Sequence, residues 1–353
     1  MKIHTGNAVR FSLSLVTAAM AVLPVSSVMA QTTETTPVAP ILPELPKILP
    51  GKGLSQHPFL YCGEYAFDQD QQSIRLIRGG KEVWRYDLKF NVMRGGKKDI
   101  QELGDCTQLA NGNIAFTTRF GAMEVTPDKT VVWQYIAPDN TEIHSLQAIG
   151  LDHVLIAQNG SPAVALLINT NTNKIEKTYI IPVAKPDSVH GQLRRVHLTP
   201  ANTLLVAQMD SDKVVEYDEA GKALWSVPVA SPWDAVRLKN GNTLISSNKG
   251  FVREVNVKGE TVWEITSSDF PGYTLKNVQE VTRLANGNTL ISNWIAGAYK
   301  PVDWPKTVQF FEVTPDKKIV WALSSWIKPD LGPATSMQLL DQPGLAENGD
   351  LQR

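Results

Sequence analysis

Short apolar runs separated by turn residues recur from Phe59 to Leu340, and many fall into copies of one phrase. Val125-Thr126-Pro127-Asp128-Lys129 leads into Val131-Val132-Trp133. Tyr217-Asp218-Glu219-Ala220-Gly221-Lys222 leads into Leu224-Trp225, and Val255-Asn256-Val257-Lys258-Gly259 into Val262-Trp263. Val313-Thr314-Pro315-Asp316-Lys317-Lys318 leads into Val320-Trp321, and a weaker copy ends at Trp84. A second phrase, Leu109-Ala110-Asn111-Gly112-Asn113, returns as Leu238-Lys239-Asn240-Gly241-Asn242 and Leu284-Ala285-Asn286-Gly287-Asn288. Asn-Gly between apolar runs predicts a β-hairpin, with both residues at positive φ in a type I′ turn. Each unit therefore predicts four short strands: one before Asn-Gly, one after it, one ending in Glu-Val or Glu-Tyr, and one carrying the Trp. Two units fit loosely. The unit at 144–181 has Lys177 where others carry Trp, and the unit at 194–229 has Pro200-Ala201-Asn202 in place of Asn-Gly. A unit this short cannot bury its own apolar face, so neighbouring units must share cores.

The ends of the repeat array predict how it closes. Residues 59–88 supply three strands, and Thr335-Ser336-Met337-Gln338-Leu339-Leu340 supplies a single one. Three and one complete a unit. The expected fold is all-β: a six-bladed beta-propeller of four-stranded blades, its ring closed when the C-terminal strand joins the N-terminal three, which removes exposed edges. An open solenoid is the alternative, and the split unit argues against it, because a solenoid ends in caps. Trp recurs at one place in the outer strand, where a large ring fills the space between blades. The Asp, Gly and Lys before it are turn chemistry.

Composition sets the surroundings. Among 353 residues, the first thirty pair a basic start (Lys2, Arg10) with an apolar stretch from Phe11 to Val25 and the small-residue site Val28-Met29-Ala30. This reads as a signal peptide cleaved near Ala30, placing the protein in the periplasm or outside the cell. The apolar stretch is short and interrupted by Pro24, so no membrane span is expected. Residues 31–52 read as a Pro/Thr-rich tether, 53–344 as the propeller and 345–353 as a disordered tail. Without Lys2 and Arg10 the 34 basic residues become 32 against 35 acidic ones, a net charge of −3. That balance excludes an electrostatic nucleic-acid partner. The two cysteines, Cys62 and Cys106, suit either a disulfide, which export permits, or two buried thiols. No metal-ligand spacing is present, so no metal is expected.

The phrase Glu-Val-x-x-x-Gly/Lys-x-x-Val-Trp, with Asn-Gly-Asn-Thr-Leu-Ile between units, resembles bacterial exported propellers of the PQQ-like and arylsulfotransferase-like repeat type. The resemblance spans roughly 53–344. PQQ enzymes of this type have more blades, a calcium site and often adjacent cysteines; this chain has six units and no adjacent Cys pair, so no PQQ or other cofactor is expected. The arylsulfotransferase likeness implies histidines projecting into the central channel. His144 stands just before a first strand, as such a histidine would, and His190 lies in the linker ahead of the next unit. That family's paired-histidine and His-Asp motifs are not evident here.

In a propeller, the loops leading into each first strand and out of each second strand open on one face, the usual place for a small-molecule site. Aligned on the first-strand Leu, the units bring Glu64, Asp105, Arg119, His190, Arg194, Arg195, Trp233, Asp234, Gln279, Glu280, Asn293 and Trp294 to that face as candidate ligand-binding residues, with His144 as candidate catalytic residue. His144 can act as base or nucleophile, oriented by Asp105 or Glu280. The arginines can hold a carboxylate, sulfate or phosphate, and the tryptophans can stack on a sugar or aryl ring. Asp234 and Glu280 can pair as acid and base. The leading expectation is a binding protein for a small polar, anionic or carbohydrate-like ligand. The alternatives are an enzyme (lyase, hydrolase, or sulfuryl or other group transfer) using His144, and a protein-interaction scaffold. No Ser-His-Asp, HExxH or phosphate-loop signature separates them.

Overall fold

A computed structural model describes residues 42–64 and 70–353. The leader at 1–30 and the tether as far as residue 41 lie outside the described residues. Six four-stranded antiparallel sheets form the blades of a ring. Blade 1 is composite: Ala334–Leu339 lies innermost, followed by Phe59–Gly63, Gln71–Arg78 and Lys81–Lys89. The closing strand pairs antiparallel with the N-terminal one, Phe59 opposite Leu339 and Tyr61 opposite Met337. Blades 2 to 6 begin with Leu103–Gln108, Glu142–Ile149, Leu193–Leu198, Pro232–Arg237 and Val281–Arg283.

Six apolar clusters are each shared by adjacent blades, and a seventh, around Ile295, Ala296 and Trp304, lies in the insertion of blade 6. Between blades 1 and 2, for example, Leu60, Cys62 and Ile74 pack with Leu103, Cys106 and Phe116. Both cysteines are free and fully buried there. Burial, followed by a hydrogen bond with Cys106, pushes the Cys62 thiol well above its ordinary pKa.

The repeated polar residues hold this framework together. The Asn-Gly turns differ from the expected type I′. Only the glycine has positive φ, +85° at Gly112 and +88° at Gly241 and Gly287, while the preceding Asn does not. Gly112 N–H donates to Leu109 O and Leu109 N–H to Asn113 O, a type I turn closed by a left-handed glycine. Asn111 Oδ1 is occupied by the Asn113 N–H, which holds Asn111 out of the left-handed region. The second Asn reaches the Glu of the repeat phrase: Asn113 Nδ2 donates to Glu124, Asn242 to Glu254 and Asn288 to Glu312, each at 2.6 Å. Each outer-strand Trp clasps the next unit through its indole N–H. Trp84 donates to Pro127 O, Trp133 to Asn173 Oδ1, Trp225 to Val257 O, Trp263 to Pro315 O and Trp321 to Gly53 O. Where Lys177 replaces Trp in blade 3, an ion pair with Glu219 of blade 4 spans the same gap.

Both flanking segments lie against the ring. From the expected tether, Leu45 and Leu49 pack on the cluster between blades 5 and 6, and Pro50 O accepts from Ala322 N–H at 3.1 Å. Residues 345–353, expected as a disordered tail, include the 3-10 turn Ala346–Asn348 and carry the Arg353 guanidinium to buried Glu280, at 2.9 Å. Among the described residues, no helix is long and apolar enough to cross a membrane.

Candidate functional site

The innermost strands of blades 2 to 5 begin with a local irregularity that sets the site. Their pairing with the second strands slips between Leu103 and Cys106, Ile143 and Ser145, Leu193 and Val196, and Pro232 and Asp234. A bulge leaves one or two residues outside the ladder and re-aims their side chains. The residues freed here are Gly104 and Asp105, His144, Arg194 and Arg195, and Trp233. Hydroxyls of the second strands catch the displaced backbone: Thr117 Oγ1 accepts from Asp105 N–H, and Ser246 Oγ from Asp234 N–H. Gly104 has no room for a side chain, since a Cβ would sit 2.5 Å from Thr117 Oγ1.

The bulged residues separate into two layers. At the mouth, a cavity of about 80 Å³, room for roughly five to eight water-sized groups, is lined by Glu64, Arg119, His144, His190, Arg195, Trp233, Gln279 and Trp294, together with Glu102 and Thr335. Every blade contributes. Arg119 also borders a cleft of about 490 Å³ running beneath the hairpin Asn91–Arg94 and Lys97–Ile100, an insertion the repeat pattern did not predict. Below the mouth, Arg195 reaches across the channel to Asp105 at 3.1 Å, Glu280 at 3.7 Å and Asp234 at 3.9 Å.

Glu142 organises the mouth. Its Oε1 accepts from Arg119 Nη2 at 2.6 Å, and its Oε2 from His190 Nδ1 at 2.8 Å and His144 Nε2 at 3.3 Å. Burial works to raise this carboxyl, but the bonds from His144, His190 and Arg119 hold it well below the usual carboxylate range. Burial, then the charge of Arg194, pushes the His144 imidazole down to about 3, against the pull of Glu142. His144 is therefore neutral at any physiological pH. Glu64 behaves in the opposite way. Burial, then the nearby Glu102 charge, raises it well above the usual range despite a 2.9 Å bond from Trp294 Nε1, so it keeps its proton to higher pH.

Arg194 stands behind this wall. Its guanidinium lies 4.5 Å over the Trp233 ring and donates to the carbonyls of His190 and Leu193. It is 2% exposed, makes no ion pair among the described residues, and leaves Nε without a hydrogen-bond partner. Burial lowers it to about 10, with Glu102 and Glu142 offsetting part of that from longer range.

The structure thus brings Glu64, Arg119, His144, His190, Trp233, Gln279 and Trp294 together at the mouth, with Arg194 behind them. Three expected roles change. Asp105 and Glu280 do not orient His144; Glu142 does. Asp105 instead accepts from Leu146 N–H and Glu280 from Met337 N–H, each stapling the next blade while neutralising Arg195. Asp234 and Glu280 are not a free acid–base pair, because Asp234 is bound by His197 at 2.9 Å and Glu280 by Arg353. Asn293 serves the fold: its amide donates to Thr274 O and Val308 O and accepts from Lys276 N–H. Sequence reasoning passed over Glu102 and gave Glu142 no role. Glu142 stood two residues from His144 in the same strand entry, but the bulge between Ile143 and Ser145 breaks the alternation that would have related them.

No family model matches the chain, and no curated protein matches it by sequence. Solved structures do match. A protein of unknown function from Bacteroides caccae aligns with a TM-score of 0.67 at 22% identity, covering 79% of this chain and 98% of that one. A catalytically inactive virginiamycin B lyase from Staphylococcus aureus, solved with quinupristin, aligns with a TM-score of 0.50 at 13% identity, covering 79% and 89%. At these identities the likeness establishes the propeller fold and nothing about chemistry.

Proposed function

We propose that this propeller is a binding protein for a small polar ligand, which it holds at the channel mouth by an anionic head group. Arg194 carries this reading. A buried guanidinium is normally paired, and among the described residues this one makes no ion pair. A carboxylate, sulfate or phosphate admitted beside His144 and His190 would supply the counter-charge. The cavity of about 80 Å³ suits such a head group better than a sugar chain, and the cleft beneath the hairpin has room for whatever the head group carries. The resemblance of the repeats to arylsulfotransferase-like propellers supports an oxyanion ester among the candidates. The leader-like residues 1–30 support binding in the periplasm or outside the cell; a mature chain found in the cytoplasm with Met1 retained would contradict that placement.

A panel of sulfate esters, sugar phosphates, aromatic carboxylates and neutral sugars tests the reading by thermal shift, because a ligand of the native state raises its stability. An anionic compound should raise the Tm, and Arg194→Met should weaken its binding at least tenfold while leaving the unliganded Tm within a few degrees of wild type. A flat panel favours the scaffold, and a hit indifferent to Arg194→Met removes Arg194 as the group that holds the ligand.

His144 favours a second reading. It is neutral, held by Glu142 and open to the cavity, as a base or nucleophile in lyase, hydrolase or group-transfer chemistry would be. Under that reading His144→Ala abolishes turnover of the bound compound and spares its affinity.

A further inference from the structure

We propose that Glu142, His144 and His190 form a site for one divalent transition-metal ion of the zinc class. The three ligand atoms, Glu142 Oε2, His144 Nε2 and His190 Nδ1, all lie within 4.8 Å of one another. Zinc bonds of about 2.0–2.1 Å in a tetrahedron place ligand atoms roughly 3.3 Å apart. The His144 contact with Glu142 already has that spacing, at 3.3 Å, and the His190 contact is closer, at 2.8 Å. His190 sits on the three-residue turn Val189–Gly191 with 52% of its side chain exposed, so it can withdraw the required fraction of an ångström.

The surroundings suit the assignment. Both imidazoles point a nitrogen at one carboxylate oxygen, which asks for a proton there, while Arg194 Nη1, 3.5 Å from His144 Nε2, asks for a lone pair on that same atom. Both protons can move to the other ring nitrogen, which frees a lone pair on each imidazole beside the carboxylate oxygen. Arg119 occupies Glu142 Oε1, so the carboxylate is held by an outer partner and presents Oε2 inward, as ligating carboxylates generally are. Two nitrogens and one oxygen favour zinc, cobalt or nickel over magnesium and calcium, which prefer all-oxygen shells. Three protein ligands leave a fourth position open to the mouth cavity. The three residues come from two blades, 48 positions separating Glu142 from His190, which is why no local spacing announced them.

This inference stands apart from the small-molecule reading, since the ion alone can be titrated. An ion-bound His144 is a ligand and not a base, so occupancy also counts against the second reading above. The experiment uses the tag-free chain, stripped with a chelator and titrated with Zn²⁺ and, for its visible spectrum, Co²⁺. One ion per chain should bind, with tetrahedral Co²⁺ bands. His190→Ala should weaken binding at least tenfold while leaving the melting curve of the metal-free protein nearly unchanged, because that side chain is half exposed. His153→Ala, which removes the surface histidine between Asp152 and Glu176, should leave the affinity unaltered. No stoichiometric binding, affinity indifferent to His190→Ala, loss of affinity in His153→Ala, or tighter binding of Mg²⁺ than of Zn²⁺ would each overturn the site.

Discussion

His57 takes at the ring's closure a role that arginines take between other blades. Arg237 of blade 5 pairs with Glu216 of blade 4, and Arg283 of blade 6 with Glu254 of blade 5. At the junction of blade 6 with blade 1, Glu312 receives His57 Nε2 at 3.0 Å, and His57 Nδ1 meets Asp341 at 2.7 Å. The difference matters because a histidine can lose its charge near neutral pH. Burial, the largest single influence, lowers the His57 pKa, yet the hydrogen bonds and charges of Glu312 and Asp341 together raise it above its ordinary value. The protonated ring therefore stabilises the fold fully below the unfolded value of 6.5, and this contribution is lost as pH rises through the raised folded value. His57→Ala should cost about 1–2 kcal/mol at pH 6, the range for hydrogen bonds to charged groups discounted for partial exposure. The deficit should narrow as the pH approaches 8.5. Urea denaturation of both proteins across that range checks it. A deficit that is flat or grows with pH would show that the ring is not holding its proton there.

At the scale of the element, a blade is a sheet that depends on its neighbour, and the Trp clasp is the visible part of that dependence. Trp321 is the closing example: fully buried, stacked edge-on with His57 and bonded through Nε1 to Gly53 O. Trp321→Phe keeps most of the apolar surface and loses the hydrogen bond, so it should cost about 1 kcal/mol. Trp321→Ala leaves a cavity at the junction and should cost about 3–5 kcal/mol. Denaturant midpoints check both, and equal losses would mean that the ring's volume contributes nothing. Such elements were legible in the sequence because each copy repeats the same local problem: an Asn-Gly turn, a Glu to receive its Asn, and a Trp to reach the next unit. Three strands at one end and one at the other made the ring legible too. The turn type was not, because the Asn111 side chain engages its own turn and decides the backbone. The hairpin at 91–100 was not, because an insertion lies outside the repeat. The layering of the site was also hidden. Alignment brought Arg194 and Arg195 to one face, but whether a buried charge meets carboxylates depends on residues from blades far apart in the chain.

That distinction becomes a property of the whole molecule at the channel floor. Arg195, from blade 4, is 4% exposed and lies among acids of blades 2, 5 and 6, so one side chain ties together elements that share no sheet. Burial alone would lower its pKa, but Asp105, Glu280 and Asp234 raise it, and its charge is secure. Burial would likewise raise the Asp234 carboxyl, which Arg195 and then His197 hold below the ordinary range. Asp234 thus stabilises the fold above its unfolded value near 3.8, a contribution lost as pH falls through the depressed folded value. Removing the cation leaves carboxylates buried and only partly compensated by Arg353, so Arg195→Met should cost about 3–5 kcal/mol at pH 7. Without the guanidinium, burial dominates at Asp234 and protonation relieves it, so the deficit should shrink as the variant and wild type are compared at lower pH, down to about 5. Arg194→Met, one residue away, should cost far less at pH 7, because the charge it removes has no ion-pair partner among the described residues. Paired denaturation curves at pH 7 and pH 5 decide the matter. Equal losses in the two variants would mean that both arginines serve the framework, and the case for an anion at the mouth would go with that difference.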